Sequence, residues 1–221
     1  MPAKSSSPAS SRLSPGERRR RILATAVQVY AQHGFHQTGM RQLCTALGMS
    51  PGALYRYFPG KEAIIAGLVE MDREQLQVNL SQLPREAGFL AAMEAMGELV
   101  MRDLESNAGL LVIWSEISAE ATRNPAVAEL IGQHYQFIET LLSEMIAEAV
   151  ERGELRADLD PAAAARFLVA MHDGMMTRRA VNPSYPLQRS MKESLAFFAQ
   201  AAGAPRPPVQ PAAKKTGRNQ P

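Results

Sequence analysis

The sequence predicts an all-α protein of about nine helices, and three observations carry that expectation. Apolar residues recur at helical spacing through most of the chain. No segment alternates apolar and polar residues as a half-buried strand would. The breaks between apolar runs are helix caps and helix-opening prolines. The elements group as an N-terminal three-helix unit over residues 15–78, with a helix-turn-helix at 39–58, and a C-terminal helical unit over 79–202. Residues 1–14 and 203–221, with their Ser, Pro, Ala and Lys, read as disordered tails.

The first helix is expected from Pro15 or Glu17 to His33, with Ile22, Ala26, Val29 and Tyr30 on one side and Gly34 as its stop. Phe35 then folds back onto the three-helix core. Thr38 is expected to cap a second helix that carries Arg41 and spaces Leu43, Ala46 and Leu47 helically. Gly48 ends it where a left-handed residue is needed. Ser50 caps a third helix that Pro51 opens, and Leu54 and Phe58, four residues apart, turn one face inward. After Pro59 and Gly60 a long helix runs from Lys61 towards Leu83, where Pro84 ends it, and Glu62 suits the dipole of its first turn.

Later helices are expected at Phe89–Glu105, Gly109–Ala121, Pro125–Arg152, Pro161–Val181 and Leu187–Ala202. Their breaks have local causes. Asn107 and Gly109 separate two apolar runs, Asn124-Pro125 and Asp160-Pro161 are caps followed by helix-opening prolines, and Gly153 follows the last turn of its helix. Asn182-Pro183 with Pro186 forces the final loop.

At 221 residues and 46% hydrophobic, the chain can bury a full core, and no apolar run is long and uninterrupted enough to span a membrane. The N-terminus lacks the apolar stretch of a secretory signal, and the single cysteine, Cys44, falls among inward positions where a buried structural thiol is expected. The expected compartment is the reducing cytoplasm. The net charge of +2 hides an asymmetry. Through Lys61 there are nine basic residues, four of them the run Arg18 to Arg21, against the single acid Glu17. A basic quarter joined to an acidic body implies that only one end meets a polyanion.

The third helix sharpens that expectation. Its outward positions hold Gly52, Ala53, Tyr55, Arg56 and Tyr57, small residues that permit close approach beside side chains able to bond phosphates and base edges. An enzyme would need a convergent nucleophile, base or metal set, and one inward Cys, scattered His and no Gly-rich phosphate loop do not supply it. A membrane-surface reading would use Arg18 to Arg21 on an amphipathic helix, but that helix would then be unavailable to the core around Phe35 and Leu43.

With Gly34-Phe35, Thr38, the Leu43–Met49 helix and turn, Leu54-Tyr55-Arg56-Tyr57-Phe58 and Lys61-Glu62-Ala63, residues 18–70 resemble the DNA-binding domain of the TetR/AcrR transcriptional regulators. The resemblance implies a homodimeric repressor that leaves a palindromic operator in double-stranded DNA when a small-molecule effector enters the C-terminal domain. It implies that Thr38 and Lys61 meet phosphates at helix N-termini and that Arg41 lies at the groove edge. Ser50, Pro51, Gly52 and Ala53 would enter the major groove, with Tyr55, Arg56 and Tyr57 on phosphate or bases. The alternative for Tyr55 or Tyr57 is an aromatic that completes the small core. Gly39 and Cys44 depart from the family pattern, often Thr or Ser and Ala there, and Gly39 removes one phosphate hydroxyl.

By the same resemblance the last two helices form a four-helix bundle with a second copy. Phe167, Leu168, Met171, Met175, Leu195, Phe197 and Phe198 offer more apolar surface than one thin layer needs. For the effector, Met93, Met96, Met101, Trp114, Phe137 and Met145 are candidate cavity residues, with Glu116 as a polar partner that alternatively faces solvent or bonds Arg123. His134 and His172 lie far apart in sequence without a ligand-spaced carboxylate or thiol, so neither a metal nor a cofactor is expected.

Overall fold

The computed structural model describes residues 13–107 and 109–203. Its helices are α1 (Pro15–His33), α2 (Met40–Leu47), α3 (Pro51–Tyr55), α4 (Lys61–Ser81), α5 (Phe89–Ser106), α6 (Gly109–Ala121), α7 (Pro125–Glu151), α8 (Pro161–Val181) and α9 (Leu187–Ala201). A single 3-10 turn, Arg85–Ala87, which the sequence did not announce, joins α4 to α5. There is no strand among the described residues. None of the helices there is long and apolar enough to cross a membrane. The expected tails fall mostly outside the described residues. Ser14 is structured: its hydroxyl accepts the Glu17 N–H at 3.2 Å while the Glu17 carboxylate accepts the Ser14 N–H at 2.7 Å, a closed capping box.

Two expected boundaries shift. The cap of α2 is Gly39, not Thr38: the Gly39 N–H donates to the Gln42 side chain at 2.9 Å, while the Thr38 hydroxyl turns inward to donate to the Gly34 carbonyl at 2.8 Å. Helix α3 closes at Tyr55 rather than reaching Phe58, because Pro59 disfavours helical geometry at the residue before it. Phe58 nevertheless stays inward, its N–H held by the Leu54 carbonyl at 3.0 Å.

Two cores hold the fold. The first joins Ile22, Leu23, Tyr30, Phe35, Leu43, Cys44, Leu54, Phe58 and Ile64 to Ile113 and Ile117 of α6 and Val127 and Ile131 of α7. The second lies among α5, α7, α8 and α9 around Phe89, Ile146, Leu168 and Phe198. Helix α4 runs between them, with Ile64 to Val69 in the first core and Leu80 against the second. The apolar residues expected to face a second copy are mostly used here: Leu168, Met175 and Phe198 are buried, and only Phe167 and Phe197 point outward.

Gly67 lets α4 cross α1 closely. A Cβ there would stand 2.9 Å from both Leu23 Cδ2 and Phe58 Cε1, and both side chains are buried with no room to retreat. Gly67→Val is therefore expected to lower stability by about 1–3 kcal/mol through overpacking. Thermal unfolding at fixed protein concentration checks this, and an unchanged midpoint would refute the close-crossing account.

Candidate nucleic-acid interface and internal cavity

The turn between α2 and α3 is set by short-range chemistry. Gly48 takes the left-handed conformation (φ 62°, ψ 32°), and Ser50 caps α3 by accepting the Ala53 N–H at 3.3 Å. Leu43 and Leu54 anchor the pair from beneath. The opposite surface then carries Arg41, Ser50, Pro51, Gly52, Tyr55 and Arg56 exposed, with Ala53 partly so. A Cβ on Gly52 would meet nothing in the protein, so no internal packing demands glycine there. Neither Arg41 nor Arg56 pairs with an acid among the described residues. The Arg56 guanidinium lies 5.7 Å from the Tyr57 ring centre, and Tyr57 is half-buried against the first core, whereas Tyr55 is open to solvent.

Two expected phosphate ligands are engaged elsewhere. The Thr38 side chain is fully buried on Gly34. The Lys61 ammonium donates to the Phe35 carbonyl at 2.5 Å and sits 4.3 Å from the Phe35 ring centre. Burial pulls the Lys61 pKa below the ordinary lysine value, against the nearby Glu120 and Glu62 carboxylates, which raise it. The buried Thr38 hydroxyl must leave Gly34 to meet a phosphate, whereas the half-buried Lys61 ammonium keeps further N–H donors beyond the one on Phe35.

Helix α6 grips the same loop from the other side. The Phe35 N–H donates to Glu116 Oε2 at 3.1 Å, and His36 Nε2 lies 3.0 Å from Glu120 Oε2 and beside the Arg123 guanidinium. Glu116 therefore neither faces the cavity nor bonds Arg123; it holds the loop between α1 and α2. The sequence contained no signal for this latch, since its partners are 81 residues apart.

A cavity of about 770 Å³ opens among α4, α5, α6, α7, α8 and α9. Met93, Met96, Met101 and Trp114 are among the residues that line it. Phe137 does not: its ring lies under the Arg73 guanidinium, 5.1 Å from the ring centre, and Met145 is buried in the second core instead. Both sit on the long α7, whose helical turn decides which neighbour each faces. The wall also holds a polar group the sequence did not reveal, Asp72, His134, Tyr135, His172 and Asp173. His134 Nε2 is 3.3 Å from Asp72 Oδ2, and the His134 ring stacks on Trp114 with centres 5.4 Å apart and planes 7° from parallel. Burial holds His172 below the usual histidine pKa, so it is neutral near pH 7. Burial also raises Asp173, opposed by a hydrogen bond from the Tyr135 hydroxyl, and pushes Tyr135 up to about 12.

Comparison with known proteins fits this anatomy. The family described as "Bacterial regulatory proteins, tetR family" matches residues 22–68, and "BetI-type transcriptional repressor, C-terminal" matches residues 90–202. The regulator UidR of Escherichia coli is 28% identical over 158 residues, which is 72% of this chain and 79% of that protein. The repressor AcnR of Corynebacterium glutamicum is 25% identical over 170 residues, 77% of this chain and 86% of the other. The solved structure of Salmonella enterica GusR superposes with a TM-score of 0.74 at 30% identity, covering 87% of this chain and 98% of its own. An exposed reading helix on a three-helix head, a helical body with an internal cavity, and these matches over both parts place the chain in the TetR family of DNA-binding transcriptional regulators.

Proposed function

We propose that the protein is a cytoplasmic homodimeric repressor that binds a palindromic operator through α2 and α3 and leaves it when a small molecule fills the 770 Å³ cavity. The observation that carries this reading is that the two helices lining the cavity beside Trp114, α4 and α6, both hold the Phe35 loop, through Lys61 and Glu116. A ligand that separates α6 from α4 changes the seat of the loop feeding α2. Operator release then requires that the ligand bind the DNA-free arrangement more tightly than the DNA-bound one. A small tilt suffices, since two heads must fit half-sites about one DNA turn or a small multiple apart.

The dimer reading is supported by the outer surface of α8 and α9. Phe167 and Phe197 are 56% and 73% exposed, and the small residues Ala170, Gly174 and Ala196 beside them are exposed too. Apolar rings flanked by small residues suit a close, two-fold helix packing.

The test is fluorescence anisotropy on DNA flanking the protein's own gene against a scrambled duplex, at near-physiological salt. Selective binding with a stoichiometry of two chains per duplex is expected. Arg56→Ala should weaken the specific complex by about 1–3 kcal/mol if the guanidinium reads a base. Equal losses on both duplexes would move Arg56 to a phosphate role, and equal weak binding by the wild type would remove support for an autoregulatory repressor.

A further inference from the structure

The charge inside the cavity is one-sided. Five carboxylates line it, the partly buried Asp72, Asp103 and Asp173 and the exposed Glu94 and Glu98, against one lysine, the exposed Lys192. Among the described residues no Lys or Arg lies within 4.0 Å of any of the five. The Asp103 carboxylate is met by the Asn79 amide, at 3.3 Å, and the Tyr135 hydroxyl neighbours Asp173. Asp72 and His134 together carry no positive excess, and the neutral His172 adds none. His134 is buried, its Nε2 faces the Asp72 carboxylate, and its Nδ1 has no hydrogen-bond partner among the described residues.

Beside neutral polar side chains such as Gln75, Ser115 and Gln188, much of the wall is soft and apolar. Eight of the chain's twelve methionines line the cavity, Met71, Met93, Met96 and Met101 from α4 and α5, and Met171, Met175, Met176 and Met191 from α8 and α9. Flexible thioethers adapt to bulky apolar bodies, and Trp114 and Tyr135 add aromatic surface that attracts a positive centre. An anionic ligand would face unpaired carboxylates in a site of lowered dielectric, whereas a cation would relieve their repulsion.

Resting on the effector-site reading above, we propose that the ligand class is a lipophilic organic cation, its apolar body among the methionines and its positive centre against the wall formed by Asp72, Asp173, Trp114 and His134. Trp114 is the chain's one tryptophan, so its emission reports on this wall alone.

The experiment titrates the full-length protein with tetraphenylphosphonium and with tetraphenylborate, ions of nearly one shape and opposite charge, following Trp114 emission. Triphenylphosphine oxide serves as the neutral comparison. The cation is expected to bind at least tenfold tighter than the anion. Asp173→Asn, which keeps the side chain's size and shape while removing its charge, and Glu98→Gln, at an exposed position that packing does not constrain, should each shrink that ratio. Equal or tighter binding of the borate, or binding of the neutral oxide alone, would overturn the proposal. So would a preference for the cation that both variants leave unchanged. The same titration on the operator complex separates the two readings: cation binding that leaves the complex intact would defeat ligand release while the ligand class stood.

Discussion

Phe58→Ala is expected to lower the unfolding free energy by about 3–5 kcal/mol, the usual cost of emptying an aromatic site in a packed core. Phe58 is 1% exposed and packs in the first core beside Gly67, with the Arg19 guanidinium 5.3 Å from its ring centre. Three elements meet on that ring, α1 through Leu23, the segment after α3, and α4, so they cannot collapse into the space independently. Domains of this size are stable by only about 5–15 kcal/mol, so a large part of the margin would go. The result should appear as a lower denaturant midpoint with an unchanged slope, at fixed protein concentration because association would contribute to the midpoint. Val181→Ala, at a position 82% exposed, is the control and should stay within about 0.5 kcal/mol of the parent. A loss below about 1 kcal/mol for Phe58→Ala would mean the site relaxes, and the account of a rigid three-element junction would fail.

Glu116→Ala is expected to break communication more than it breaks the fold. The carboxylate is half-buried and takes the Phe35 N–H, so its removal leaves that donor to find water, at a cost of about 1–3 kcal/mol. On the proposed mechanism the larger consequence lies in coupling. Coupling energies of about 1–3 kcal/mol correspond to affinity changes of 5–150-fold, and with α6 no longer holding the loop much of that factor should disappear. The quantity to measure is the ratio of operator affinities with and without a cavity ligand, such as the cation above if it releases the wild-type complex. Glu116→Gln should retain most of the ratio, because its amide oxygen can still accept from Phe35. A ratio unchanged in Glu116→Ala would assign the transmission to α4 and Lys61 alone.

The positions of the helices were legible because the signals that start and stop them are local. Ser50 with Pro51, Asn124 with Pro125 and Asp160 with Pro161 each settle a boundary through hydrogen bonds reaching two or three residues along the chain, whereas the Ser14 cap lay in what read as a tail. Gly34 and Gly48 stop their helices at positive φ for the same local reason. Helix α5 shows where that logic ends. It has no side-chain cap of its own, and its first N–H, that of Phe89, is served by Glu154, which accepts it at 2.6 Å across 65 residues. The Arg152 side chain, bonded to Glu154 at 2.6 Å, helps hold that carboxylate below its ordinary pKa.

The reading head was legible in the same way, and so were the exposed Tyr55, Arg56 and Arg41, since the small outward residues and the inward Leu54 and Phe58 sort by helical spacing. Thr38 and Lys61 show that a side chain's type tells what it can bond and not which partner is nearer. A carbonyl within the fold claimed each of them. The sequence by itself therefore determined an all-α chain, the helix order, the charge asymmetry and the exposed face of the helix-turn-helix. Only the tertiary structure decided that Glu116 latches the Phe35 loop, that Phe137 and Met145 turn away from the cavity, and that Asp72, His134, His172 and Asp173 share one wall. The reason is physical: caps and turns are contacts within a few residues, whereas a cavity wall is made by several helices whose crossing angles depend on every side chain packed between them.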